Sequence, residues 1–165
     1  MGAEEPSGSQ SAVELADTAA RACLERAERT PDDVQLLINA GVYLDRNISE
    51  PAIAALIQED IGANPEIQPG AGQGTFSFDV RNGACGLLTG MYLVDGLLAS
   101  GTVQCGIVVA GDVDPEPGVS EGYAFPAAAG AVVLLSHDDR PGLRTPGRIS
   151  AVWQDFQGWW PIARA

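Results

Sequence analysis

The residues Gly83-Ala84-Cys85-Gly86 stand between an extended-looking stretch, Thr75 to Val80, and a long apolar run that begins at Leu87. A chain that passes from a strand through small residues into a helix leaves unpaired N–H groups at the helix start, where the peptide dipoles add a partial positive charge. Both favour a thiolate, so a cysteine placed there can have a lowered pKa and act as a nucleophile. The same N–H groups can hold the oxyanion formed during acyl transfer, and small neighbours let a substrate reach the sulfur. Cys85 is therefore the candidate catalytic residue, as nucleophile and as backbone oxyanion donor. The competing reading is a small, buried, apolar side chain.

Other chemistry-bearing residues are less persuasive. Cys23 falls on the apolar stripe of a helix and Cys105 opens a strand, so both are expected in the core. No Cys-x-x-Cys or Cys/His spacing fits zinc. Asp112, Asp114 and Glu116 lack the carboxylate set and glycine spacing of a calcium loop and are expected to be a solvated acidic loop. Gly70-Ala71-Gly72-Gln73-Gly74 precedes a strand instead of leading from a strand into a helix, which is the wrong order for a phosphate or dinucleotide loop. The only histidine, His137, sits in Ser136-His137-Asp138-Asp139. Consecutive residues cannot fold back on one another as a catalytic triad, so a surface turn is expected. Trp153, Phe156, Trp159 and Trp160 crowd the end of the sequence and either pack on a sheet or meet a partner.

The elements that would position Cys85 follow from periodicity and punctuation. Residues 1–10 are Gly/Ser/Glu-rich and expected to be disordered. Ser11-Ala12-Val13-Glu14 has capping-box form, and the apolar residues Val13, Ala16, Ala20, Cys23, Leu24 and Ala27 predict a helix over 12–29. Val34 to Ala40 reads as a strand buried on both faces. Ser49-Glu50-Pro51 predicts a helix start with Ser49 as its cap, and Gly62 its stop. A strand over 75–80, a helix over 85–100, and strands over 105–111, 130–136 and 148–153 complete the expectation. Strands alternating with helices indicate an α/β fold with a mostly parallel sheet. The expected organisation is a domain over residues 11–136, then a loop, last strand and aromatic tail over 137–165.

Composition narrows the function classes. Of 165 residues, 45% are hydrophobic and 19% charged, so the chain can bury a core. A net charge of −13 opposes binding to nucleic acid or to anionic membrane surfaces. No apolar run approaches the ~20 residues that span a bilayer. Met1-Gly2-Ala3-Glu4-Glu5 is acidic, with no apolar signal segment, and three cysteines cannot all pair in one chain. A soluble, cytosolic protein is the expectation.

The ordered set Pro31-Asp32-Asp33-Val34-Gln35-Leu36-Leu37-Ile38-Asn39-Ala40, Ser49-Glu50-Pro51-Ala52, Phe78-Asp79-Val80, Ala84-Cys85-Gly86, Ser100-Gly101, Gly106-Ile107-Val108-Val109-Ala110-Gly111-Asp112 and Ala129-Gly130-Ala131-Val132-Val133-Leu134 resembles the N-terminal half of the ketoacyl synthase III (3-oxoacyl-acyl-carrier-protein synthase III) family of the thiolase superfamily. The resemblance covers roughly residues 12–136. It implies one βαβαβαββ half of a thiolase-like fold, in dimeric acyltransferases that need no cofactor beyond a thioester substrate. Cys85 would take an acyl group from coenzyme A or an acyl carrier protein, and a decarboxylating Claisen condensation with a malonyl thioester would follow. The family's His and Asn lie in its C-terminal half, so a second copy or a complementing C-terminal-half chain would have to supply them. His137 does not match that histidine. The family's first strand and helix have no counterpart ahead of Ser11. Its Gly-Asp-Gly-Ala-Gly-like stretch reads Phe125-Pro126-Ala127-Ala128-Ala129-Gly130 here, with Ala127 in place of the acid. The alternative is a non-catalytic, truncated or degenerate thiolase-fold subunit that acts by pairing with another chain.

Overall fold

A computed structural model describes residues 11–44, 48–64, 74–114 and 127–136, with the backbone of 150–153. Its elements are α1 (Ala12–Arg26), β1 (Leu36–Asn39), α2 (Ile53–Ile61), β2 (Phe76–Asp79), α3 (Gly86–Ala99), β3 (Cys105–Asp112), β4 (Ala128–Leu135) and β5 (Ser150–Trp153). They form one mixed sheet in the order β2-β1-β3-β4-β5. β1 pairs parallel with β2 and β3, and β4 pairs antiparallel with β3 and β5. The chain leaves β1 toward β2 through α2 and returns past β1 to β3 through α3. Reversing direction while keeping one crossover hand requires the two helices to lie on opposite faces, and the packing obeys this.

Side chains alternate across a strand, and both faces here are apolar. Leu37, Ile107, Val109 and Val133 face α1 and α2, against Val13, Ala16, Ala20, Cys23, Ile53 and Ile57. Leu36, Ile38, Val108, Val132 and Leu134 face α3, against Val94 and Leu98. This is why Val34 to Ala40 is a continuous apolar run and not an alternating one. α3 approaches the sheet closely through glycine. A Cβ on Gly90 would lie 2.7 Å from Val108 Cγ1, and one on Gly106 would lie 2.6 Å from Val94 Cγ1. Helix and strand each omit a side chain where the other presents a valine.

The helix termini show where local pattern holds and where it does not. Ser11 caps α1 with the predicted box: its hydroxyl accepts from Glu14 N–H at 3.3 Å, and the Glu14 carboxylate accepts from Ser11 N–H at 3.1 Å. α1 stops at Arg26, three residues before the expected end. Arg29 N–H donates to Leu24 O and Glu28 N–H to Glu25 O, with Glu28 at φ 55°. That pair of bonds is the left-handed C-terminal motif usually built on glycine, and α2 builds it on Gly62 as expected, at φ 78°. The predicted Ser49 cap is corrected: α2 begins at Ile53 and no side chain of its own segment caps it.

α1 meets α2 through charged groups as well. Arg21 donates to the carbonyl oxygens of Asp60 and Ile61, the negative end of the α2 dipole. Asp17 faces Asp60, with Arg21 and Glu14 nearby. Burial first, then the Asp60 charge and hydrogen bond, push the Asp17 carboxyl up from 3.8 to about 7. An acid whose pKa is raised by folding binds more protons in the native than in the unfolded state, so stability falls as pH rises between those two values. Asp17→Asn keeps a donor toward Asp60 without the charge. Urea unfolding at pH 5 and pH 8 should show wild type losing stability between them, and Asp17→Asn losing less and exceeding wild type at pH 8.

Candidate active site

β1, β2 and β3 run parallel, so their carboxyl ends share one edge of the sheet, the usual place for ligand sites in open α/β sheets. Cys85 lies at this edge. Beyond β2 the chain turns at Gly83, whose φ of +48° suits a residue without a Cβ. It then makes one 3₁₀ turn over Gly83–Cys85 and enters α3 at Gly86. A Cβ on Gly86 would lie 3.0 Å from Ala40 O, so the start of α3 sits directly on the end of β1. Cys85 is the N-terminal flanking residue of α3, with φ −93° and ψ 0°. It is exposed, whereas Cys23 and Cys105 are buried. Cys23 Sγ donates to Ala131 O at 3.4 Å, and burial pushes the Cys105 thiol up to about 11. The two core expectations hold, and the buried reading of Cys85 does not.

The free N–H groups expected around Cys85 are partly engaged. Cys85 N–H donates to Asn82 O at 3.0 Å, and Gly86 N–H donates to Gly83 O. An oxyanion at Cys85 N–H would have to share or displace that turn bond.

Asp79 organises the same edge and carried no expected role in sequence. Its carboxylate accepts from Ile53 N–H at 3.0 Å and Ala54 N–H at 2.8 Å, which caps α2 from another element. It also accepts from Asn39 Nδ2 at 3.1 Å, and Arg81 stands 3.9 Å away. Asn39 is only 4% exposed, and its Oδ1 accepts from Gly41 N–H at 3.1 Å. The available signal was strand alternation. Ser77 and Asp79 share the α2-facing side, where Ser77 Oγ donates to Gln58 Oε1 at 2.6 Å, while Phe78 packs on the α3 side.

Asp112 corrects the solvated-loop expectation. It is the last residue of β3, and its Oδ1 accepts from Val42 N–H and Tyr43 N–H, both at 2.8 Å. It thereby ties the segment after β1 to the end of β3. Burial raises its pKa, opposed by those N–H groups and by the Arg81 charge. Among the described residues, no three His, Cys, Asp or Glu side chains converge on a common metal position. Trp153 lies on β5 opposite Gly130. His137, Glu116, Gly70 to Gln73, Phe125, Pro126, Phe156, Trp159 and Trp160 lie outside the described residues.

This mixed sheet with helices on both faces has a thiolase-like fold. No protein-family model matches the chain. Among solved structures it is similar to 3-oxoacyl-[acyl-carrier-protein] synthase III from Aquifex aeolicus, at 24% identity and TM-score 0.64, covering 80% of this chain and 41% of that one. It is similar to Xanthomonas campestris OleA, in a cysteine-to-serine variant with bound lauric acid and lauroyl-CoA, at 23% identity and TM-score 0.62 over 79% of this chain and 41% of that one. AbyA1, a tetronic acid condensing enzyme, matches at 23% identity and TM-score 0.59, covering 76% of this chain and 36% of its own. The chain thus carries the fold of these proteins over about two-fifths of their length.

Removing the Asp79 carboxylate strands three donors at once. Asp79→Ala should cost on the order of 2 kcal/mol, from a lost cap plus largely buried unpaired groups. Urea unfolding measures the loss, and faster amide exchange at Ile53 and Ala54 would place it at the start of α2.

Proposed function

We propose that this chain is a thiolase-type acyltransferase half-domain in which Cys85 takes an acyl group as a thioester, for a condensing reaction of the ketoacyl synthase III kind. The observation that carries this is the exposed thiol at the junction of β2 and α3. The fold neighbours, which include a 3-oxoacyl-[acyl-carrier-protein] synthase III and a tetronic acid condensing enzyme, lend support. In the step itself, the Cys85 sulfur forms a bond to the acyl carbon of a thioester, the bond from that carbon to the donor sulfur breaks, and the Cys85 proton ends on the departing thiol. The donor is an acyl thioester of coenzyme A or of an acyl carrier protein. With nine basic residues against 22 acidic ones, this chain attracts an acidic carrier poorly, so a carrier's docking patch belongs to the complementing surface. Decarboxylation and Claisen condensation with a malonyl thioester draw on groups from a second copy or from a complementing chain. Among the described residues no helix is long and apolar enough to cross a membrane, and a cytosolic location is part of this reading.

A second reading has its own support. The Cys85 and Gly86 N–H groups are already bonded, and α3 is apolar on its outer side too, with Leu88 59% and Tyr92 73% exposed. A helix apolar all round belongs between two layers. In this reading the chain acts by pairing alone.

Incubation with lauroyl-CoA followed by intact-protein and peptide mass spectrometry decides between them. A lauroyl adduct on Cys85 that is absent in Cys85→Ala is the expected result, and an unmodified protein leaves only the pairing role. Either role needs a partner for α3. Light scattering at micromolar concentration should find dimers or larger species that Tyr92→Glu weakens, and a stable wild-type monomer would remove self-pairing.

A further inference from the structure

The Cys85 peptide is held from both sides by two residues with no assigned role. Its N–H donates to Asn82 O at 3.0 Å. Its carbonyl accepts from Thr89 Oγ1 at 3.0 Å. Asn82 Nδ2 in turn donates to Thr89 Oγ1 at 2.9 Å. The Thr89 hydroxyl uses its one hydrogen on Cys85 and a lone pair on Asn82, so donors and acceptors match around a closed ring. A threonine bonding back to the carbonyl four residues earlier is a common helix feature. The asparagine that reaches across the turn to the same hydroxyl is not part of that feature. It ties the residue before the positive-φ Gly83 to the first turn of α3.

We propose that Asn82 and Thr89 are positioning residues that fix the direction in which the Cys85 sulfur leaves the chain. This rests on the reading of Cys85 as the acyl acceptor. Thioester exchange needs the sulfur on a narrow approach line to the acyl carbon, whereas a small alkylating reagent reaches an exposed thiol from many directions. The two reactions therefore report orientation and exposure separately. Small displacements of a reacting group carry large rate penalties, so Thr89→Val should slow lauroylation of Cys85 by roughly tenfold while iodoacetamide alkylation changes by less than about twofold. Thr89→Ser restores the hydroxyl and should restore lauroylation. Asn82→Ala should resemble Thr89→Val, and the double variant should add little to either, as expected of residues acting through one network.

Lauroylation of Thr89→Val at the wild-type rate overturns the proposal, as does failure of Thr89→Ser to recover. A parallel fall in lauroylation and alkylation also overturns it, because it signals lost structure and not lost aim. Wild type that forms no adduct removes the acyl-acceptor reading and the positioning role with it. The wild-type control therefore separates that failure from failure of the ring alone.

Discussion

One carboxylate holds the carboxyl-end edge of the parallel strands together. Asp79 ends the edge strand and simultaneously caps α2, fixes the Asn39 amide of the neighbouring strand β1 and stands near Arg81. A partly buried carboxylate is stabilised where N–H donors replace its lost hydration, and here the start of α2 provides them. Because Asp79 is six residues before Cys85, the interaction that seats α2 also sets where the chain leaves the sheet and begins its turn toward the cysteine.

The two-faced sheet sets the remaining constraints. β3 is buried along most of its length and takes α1 on one side and α3 on the other. The α3 side is packed by paired omissions, with Gly90 receiving Val108 and Gly106 receiving Val94. That intimacy leaves α3 with little freedom to slide or tilt and holds its first turn over the carboxyl end of β1. Its outer surface keeps Leu88, Tyr92 and Leu93 in solvent, an arrangement with an energetic cost that a further layer would relieve. The chain spans about two-fifths of the length of these fold neighbours.

Local pattern was a good guide to the elements and a poor one to their ends. The capping box at Ser11 and the stop at Gly62 are built from adjacent residues, so spacing alone exposes them. The end of α1 was missed because Glu28, not glycine, takes the left-handed conformation. The start of α2 was missed because its cap comes from Asp79 and not from Ser49. Asp112 reads as one acid among several in an acidic stretch, yet it bonds Val42 and Tyr43, 70 and 69 positions away in sequence.

From the sequence came the alternation of helices and strands, the burial of the central strands on both faces, the apolar character of α3, and the placing of Cys85 where a strand gives way to a helix. All of these follow from periodicity, propensity and turn residues within short windows. Tertiary structure alone decided which carboxylates anchor the sheet edge, which N–H groups near Cys85 are already bonded, and that the sulfur faces solvent while two other thiols do not. Those outcomes depend on hydrogen bonds and packing between segments brought together only by the finished sheet, and on the geometry of one turn, neither of which residue spacing encodes.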